Sequence, residues 1–147
     1  MERIKIYLAG PIDNCSIQEQ TIWRHVVKQV YPHYHYLDPM SYEAEYFRGK
    51  KTINEIIELE KNDISDCDVL LVYPSKPSSG TAMEVMWAHT RNEIRKSYRK
   101  LISIITVIEK DQYLSPWIKF HSTKVFNDFH GAMRWIEDNH GQQSQTM

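Results

Sequence analysis

Glu84 is the residue with the clearest chemical context in this chain. It closes the run Ser78-Ser79-Gly80-Thr81-Ala82-Met83-Glu84, which follows a continuous apolar stretch and opens an amphipathic one. Gly80 starts a predicted helix, whose unpaired backbone N–H groups and positive dipole end favour an anion nearby. A glutamate in that first turn is expected to stay ionised. An ionised carboxylate in a cleft is what attack on an electron-poor anomeric carbon requires. A purely local reading stands beside this one. Thr81 and Glu84 have capping-box spacing, in which Glu84 would only bond back to a backbone N–H. Asp63 has two readings as well, a functional carboxylate or a polar residue closing a helix. The stretch Ala9-Gly10-Pro11-Ile12-Asp13-Asn14 is either a tight turn feeding a helix capped at Asn14 or Ser16, or a loop that binds a sugar or base. With one glycine it is neither a dinucleotide fingerprint nor a P-loop.

Certain elements must hold these residues in place. Arg3–Leu8 alternates and stops at Gly10-Pro11, which predicts a first strand and turn. Ile22, Trp23, Val26, Val27 and Val30 predict a helix over Ile17–Val30, ended by Tyr31-Pro32. Tyr34–Leu37 is a short strand candidate. Residues 40–51 carry Tyr42, Tyr46 and Phe47 without a clear period and are expected to form an active-site loop or lid. Thr52 and Glu55 form a capping box for a helix reaching about Ile64. Asp68–Tyr73 and Leu101–Ile108 read as buried strands, separated by a helix from Gly80 or Thr81 to about Tyr98. A loop holding Ser115-Pro116-Trp117 leads to a last strand, Lys124–Phe126, and a helix over His130–Asn139. Strands alternating with helices predict an α/β, flavodoxin-like or Rossmann-like three-layer fold with a five-stranded parallel sheet. Ligands are then expected at the carboxyl ends of the strands.

The 147 residues suit one domain, read as 1–140 with a polar, fraying tail over 141–147. Hydrophobic residues at 41% and charged residues at 25% argue against a disordered chain. Eighteen basic residues against nineteen acidic ones give a net charge of -1, which leaves nothing to hold a nucleic-acid polymer non-specifically. Cys15 and Cys67 are too few and too far apart for a disulfide framework or a metal site. No secretory signal or membrane span is legible, so a cytoplasmic setting is expected. His33 and His35 lack a third ligand, so no metal is expected. Arg91, Arg95, Lys96, Arg99 and Lys100 read as a solvated helix end. Tyr42, Tyr46, Phe47 and Trp87 either stack on a base or pack, with packing the stronger reading for Trp87.

In order along the chain, IKIYLAGPI (4–12), NDISDCDVLLVY (62–73) and SSGTAMEVMWA (78–88), with SPWIKFHSTKVF (115–126) more loosely, resemble the nucleoside 2-deoxyribosyltransferase family and its relatives, the deoxynucleoside 5′-monophosphate N-glycosidases. The resemblance implies that Glu84 is the nucleophile and forms a covalent deoxyribosyl intermediate. It implies that Asp63 contacts the base and assists proton transfer, and that Tyr7 orients Glu84 through its hydroxyl. Gly10, Pro11, Ile12, Ser78 and Gly80 fall at substrate-binding positions. Ser115 is the candidate for a contribution from a neighbouring subunit, since such enzymes are homo-oligomers. No cofactor is implied, and the expected partner is a small nucleoside or nucleotide.

Ser78 matches the serine with which the monophosphate hydrolases contact phosphate. Those hydrolases also carry an arginine in the first loop, whereas residues 10–20 here have no arginine or lysine, and Arg24 is expected at the surface. Nucleoside transfer is therefore the first expectation and monophosphate hydrolysis the second. A nucleotide-binding module without turnover is the alternative from another class. A phosphate-binding flavodoxin-like protein fits less well, because no phosphate loop follows the first strand.

Overall fold

The computed structural model describes residues 2–95 and 100–141. Five parallel strands, β1 (Lys5–Ala9), β2 (His35–Leu37), β3 (Val69–Val72), β4 (Ser103–Val107) and β5 (Lys124–Phe126), lie in the order β2-β1-β3-β4-β5. This is the flavodoxin-like order expected from the sequence. The register pairs Tyr7 with Leu37 on one side and with Leu70 on the other. Strand order reverses at β1, so the crevice between the ends of β1 and β3 is where such a sheet binds ligands.

Helices cover both faces, and the two-residue period of the strands decides which side chains meet which helices. Ile6 and Leu8 join Val69, Leu71, Ile105 and Val107 in one core layer. Trp23 and Val27 of α1 (Ile17–Val30) cover that layer, with Ala132, Met133 and Ile136 of α6 (Phe129–Ile136). Tyr7 and Ala9 point to the opposite face with Leu70, Val72 and Ile104. There they meet Ile64 of α3 (Ile53–Asp66), Val85 and Ala88 of α4 (Ser79–Arg95), and Ile118 of α5 (Pro116–His121). Both predicted strands of continuous apolar character are buried on two sides, as a sheet covered by helices demands.

Local signals explain most boundaries. Ser16 and Glu19 form a complete capping box at α1, and Thr52 and Glu55 another at α3. Residues 40–51 depart from the expected loop. They contain a helix, α2 (Met40–Phe47), in which no residue is fully buried. With no face sunk in the core, α2 has no apolar stripe for a period to reveal. Residues 115–117 are likewise not all loop, because Pro116 opens α5, where its fixed φ and missing N–H suit a first helical position. The terminal helix passes into a π-helical turn, Glu137–Gly141. The expected tail beyond Gly141 and the stretch 96–99 of the predicted long helix lie outside the described residues.

Gly10 is a position where only glycine fits. An added Cβ would stand 2.7 Å from Trp23 Cζ2 and 3.2 Å from the Tyr73 carbonyl oxygen. At Gly80 it would meet only Ser78 Oγ, at 3.8 Å. Gly10→Ala should therefore cost about 1–3 kcal/mol through overpacking, seen as a lower urea midpoint with an unchanged slope. Gly80→Ala, inside a helix with open space, should leave the midpoint equal or raise it.

Candidate active site

The alternation of β1 aims Tyr7 at α4. Its hydroxyl donates to Glu84 Oε2 at 2.5 Å, across 77 residues of sequence. Tyr7 is fully buried and Glu84 half-buried. The capping-box reading of Glu84 does not hold: Thr81 N–H donates to Ser78 Oγ at 3.2 Å, so Ser78 caps the helix start and leaves the glutamate to face the sheet.

The expectation that Glu84 stays ionised is also overturned. Burial pushes its carboxyl up to about 8; the Tyr7 hydrogen bond works against that rise, Glu60 adds to it by repulsion, and Arg24 opposes it. Desolvation outweighs the helix dipole here, because a half-buried carboxylate loses far more hydration than one helix terminus returns. Burial and the neighbouring Glu84 carboxylate push the Tyr7 hydroxyl well above its ordinary range, which keeps it a donor.

The floor of the site is acidic. Glu60 and Asp63 lie three apart on α3, hence on one face. Burial, with repulsion from Glu43 and Asp63, pushes Glu60 up to about 7. Glu43 of α2 is raised by burial and by Asp13. Tyr42 of α2 donates to Asp63 Oδ2 at 2.6 Å, and burial with that bond pushes its hydroxyl up to about 12. Tyr42 therefore belongs to the site. Tyr46 and Phe47 form an exposed edge-to-face pair at 5.6 Å. Trp87 packs instead, its Nε1 donating to the Lys61 carbonyl and to Ser65 Oγ, both at 3.1 Å.

Arg24 is a further correction, for it is 1% exposed and lies under the end of β1. Glu43, Glu60 and Arg24 are site residues that sequence reasoning missed. Glu60 was legible only as the helix-face neighbour of Asp63. Arg24 carried a signal in its position between Trp23 and Val27, on the buried side of α1. Arg95 is also buried rather than solvated, its Nη1 donating to the Ser65 carbonyl at 2.5 Å.

Ser78 and Ser115 come together elsewhere, in a cavity of about 480 Å³ at the start of α4 whose lining includes Lys76, Thr81, Gln112 and Tyr113. Neither Tyr7, Asp63 nor Glu84 lines it. The hydroxyl of Thr81, a residue 2% exposed, has no hydrogen-bond partner there. Lys76 reaches back to Glu19 at 2.7 Å, tying the segment after β3 to α1. After β1, Gly10 and Pro11 are buried and Ile12 is half-buried, its carbonyl accepting from Gln20 Nε2 at 2.9 Å. Among the described residues no group of histidine, cysteine or carboxylate side chains is arranged to hold a metal ion, and no helix is long and apolar enough to cross a membrane. Both cysteines are free.

Comparison with solved structures returns proteins that share this doubly covered sheet. A 2-desoxiribosyltransferase from Leishmania mexicana aligns with a TM-score of 0.59 at 16% identity, over 93% of this chain and 99% of that one. The Clostridium botulinum CMP N-glycosidase BcmB aligns at 0.53 and 16% identity, over 90% and 98%. A conserved protein from Enterococcus faecalis V583 aligns at 0.65 and 13% identity, over 92% and 98%. At these identities the likeness is one of fold. No protein-family model and no curated protein sequence matches the chain.

The raised Glu84 carboxyl has a consequence for stability. Its folded value, about 8, lies above the ordinary 4.5, so the native state binds more protons between those values. Stability is full below about pH 4.5 and is lost as pH rises through about 8. Glu84→Gln removes that loss, so its melting temperature should match the wild type near pH 4 and exceed it by at least ~2–4 °C at pH 8. Thermal unfolding of both proteins across pH measures the difference.

Proposed function

We propose that this chain cleaves the N-glycosidic bond of 2′-deoxynucleosides through Glu84 and transfers the sugar to another base. The observation that carries the proposal is the Tyr7–Glu84 hydrogen bond, which aims a half-buried carboxylate at the crevice where a sheet of this order binds ligands. The fold neighbours, a 2-desoxiribosyltransferase and a CMP N-glycosidase by their names, support the same bond as the target.

In the proposed step, a Glu84 oxygen attacks the anomeric carbon as the carbon–nitrogen bond breaks. The bonding pair leaves on the base nitrogen, which takes a proton. Tyr7 orients the attacking carboxylate, and the developing oxocarbenium charge is stabilised by it. Asp63, held by Tyr42, faces the base. Glu60, whose carboxyl is raised to about 7 and is therefore partly protonated in neutral solution, supplies the proton. Such assistance contributes about a hundredfold to ten-thousandfold. A second base then attacks the deoxyribosyl-glutamate, passes its ring N–H proton to the Glu60 carboxylate and restores the Glu84 carboxylate as the ester bond breaks. Gly10, Pro11 and Ile12 line the sugar side, a second subunit contributes at the separate cavity that holds Ser115, and the protein works in the reducing cytoplasm that two free cysteines suit.

A second reading, 5′-monophosphate N-glycosidase, is favoured by one specific observation. The cavity at the start of α4 holds Lys76, Ser78, Ser115 and the unpartnered Thr81 hydroxyl, groups suited to a phosphate. Water then replaces the second base as acceptor.

Purified protein incubated with deoxynucleosides or their 5′-monophosphates, with and without a free acceptor base, separates these readings by chromatography. A new nucleoside formed only when acceptor is present is the expected result, and Glu84→Ala should abolish it. Base released from monophosphates without acceptor establishes the hydrolase instead. No base released from any substrate leaves a binding module, which would keep its ligand affinity in Glu84→Gln.

The pH profile gives an independent check. Activity needs Glu84 ionised and Glu60 protonated, so kcat/KM should fall in acid, where both carry protons, and in alkali, where neither does. The maximum should lie between about 7 and about 8, with limbs that belong to the coupled pair. Glu60→Gln should flatten the alkaline limb.

A further inference from the structure

We propose that Arg24 is a positioning residue, whose buried guanidinium holds the segment following β1 and supplies the positive charge beneath the acidic crevice. This rests on Glu84 as the reactive carboxylate, and its first readout needs no turnover.

The geometry is unusual for an arginine. The side chain is 1% exposed, and its guanidinium faces backbone rather than solvent. Nη2 donates to the carbonyls of Leu8 at 3.2 Å and Gly10 at 3.1 Å, one on each side of Ala9, where β1 ends. Nη1 donates to the Gln20 carbonyl at 2.6 Å. Gln20 in turn donates through Nε2 to the carbonyls of Ile12 and Cys15. The two side chains thus pin both ends of the segment 10–15. Tyr7, the partner of Glu84, immediately precedes the first pinned carbonyl.

The charge has a role that the hydrogen bonds alone do not give. Glu43 on α2, Glu60 on α3 and Glu84 on α4 each feel Arg24 as an opposing positive charge. For Glu84 it is the smallest of the four influences, after burial, Tyr7 and Glu60. Burial works against the guanidinium's own charge, and Asp38, Glu84, Tyr7 and Cys15 favour it. Asp38 Oδ1 stands 3.6 Å from Nε, and Asp38 is shared with Lys28, to which it is also paired. One buried cation therefore acts on carboxylates from three helices, and it shares its counter-ion, Asp38, with Lys28. Leaving such a charge buried is costly unless it is paired.

Two variants separate the functions. Arg24→Gln keeps amide donors and loses the charge; Arg24→Lys keeps the charge and loses the fork that reaches two carbonyls. Carbon-13 NMR of glutamate carboxyls, with Glu84 assigned through Glu84→Gln, reads the titration midpoint directly. We expect Arg24→Gln to raise the Glu84 midpoint by on the order of half a pH unit or more, and Arg24→Lys to leave it near the wild-type value. Arg24→Lys should instead speed amide exchange over residues 12–16. An equal shift in both variants, or none in either, overturns the proposal and reduces Arg24 to packing.

Should neither variant fold, Asp38→Asn carries the test. Releasing Arg24 from its counter-ion should lower the Glu84 midpoint, and an unmoved midpoint overturns the proposal. In the active enzyme the acid limb of kcat/KM should follow the same midpoint. A protein with no turnover but with these shifts would sink the proposed function and leave the role of Arg24 intact.

Discussion

β1 is paired on both edges and buried on both faces, so each of its side chains has only one place to go. The ladders to β2 and β3 fix Tyr7 opposite Leu37 and Leu70, and the pleat then turns its ring toward α4. A slip of one residue would send Tyr7 into the layer of Trp23 and Val27, and would bring Ile6 or Leu8 up to Glu84. The partner carboxylate is placed with equal economy. Glu84 adjoins Val85 and lies one turn before Ala88, both sealed against the sheet. A strand and a 17-residue helix, rather than two loops, therefore set the distance between hydroxyl and carboxylate, and rigid elements hold such a pair more closely than loops do.

The same burial that fixes the pair makes it expensive. Glu43, Glu60, Asp63 and Glu84 come from three helices to one crevice, and at least three of them resist ionisation because water is scarce and like charges are near. A sequence selected for stability alone would put amides or apolar groups there. Retaining carboxylates at such positions is the usual sign of a region shaped for work rather than for folding. Tyrosine hydroxyls on Glu84 and Asp63, and a guanidinium beneath, are what keep the cluster compatible with a folded chain.

Sheet order, all five strands and the start of α1 were legible because their signals are local and large. Val69–Val72 is continuous apolar sequence, Ser16 and Glu19 bracket a helix start, and Lys124–Phe126 lies between breakers. α2 was not legible, since a helix that buries no residue leaves no period to detect. The placements of Tyr7 and Glu84 in one another's reach were legible only through resemblance, for no pattern in residues 1–10 says what lies across 77 residues. Their charge state was misjudged for a physical reason. A helix N-terminus is visible in sequence, whereas the depth of a carboxylate depends on packing that sequence does not display. Arg24 failed in the same manner: its type suggests solvent and its helical position suggests core, and position prevailed because three carbonyls awaited it.

α2 makes a different kind of contribution. It brings Tyr42 and Glu43 to the crevice yet sinks no residue into either core layer. Its side chains can change without reopening the packing of the sheet, which is not true of Tyr7 or Val85. Evolution is thereby given two independent dials, one for whether the molecule folds and one for what lies over the crevice. Substitutions along α2 can change what lies over the crevice while the strand–helix pair beneath stays as it is.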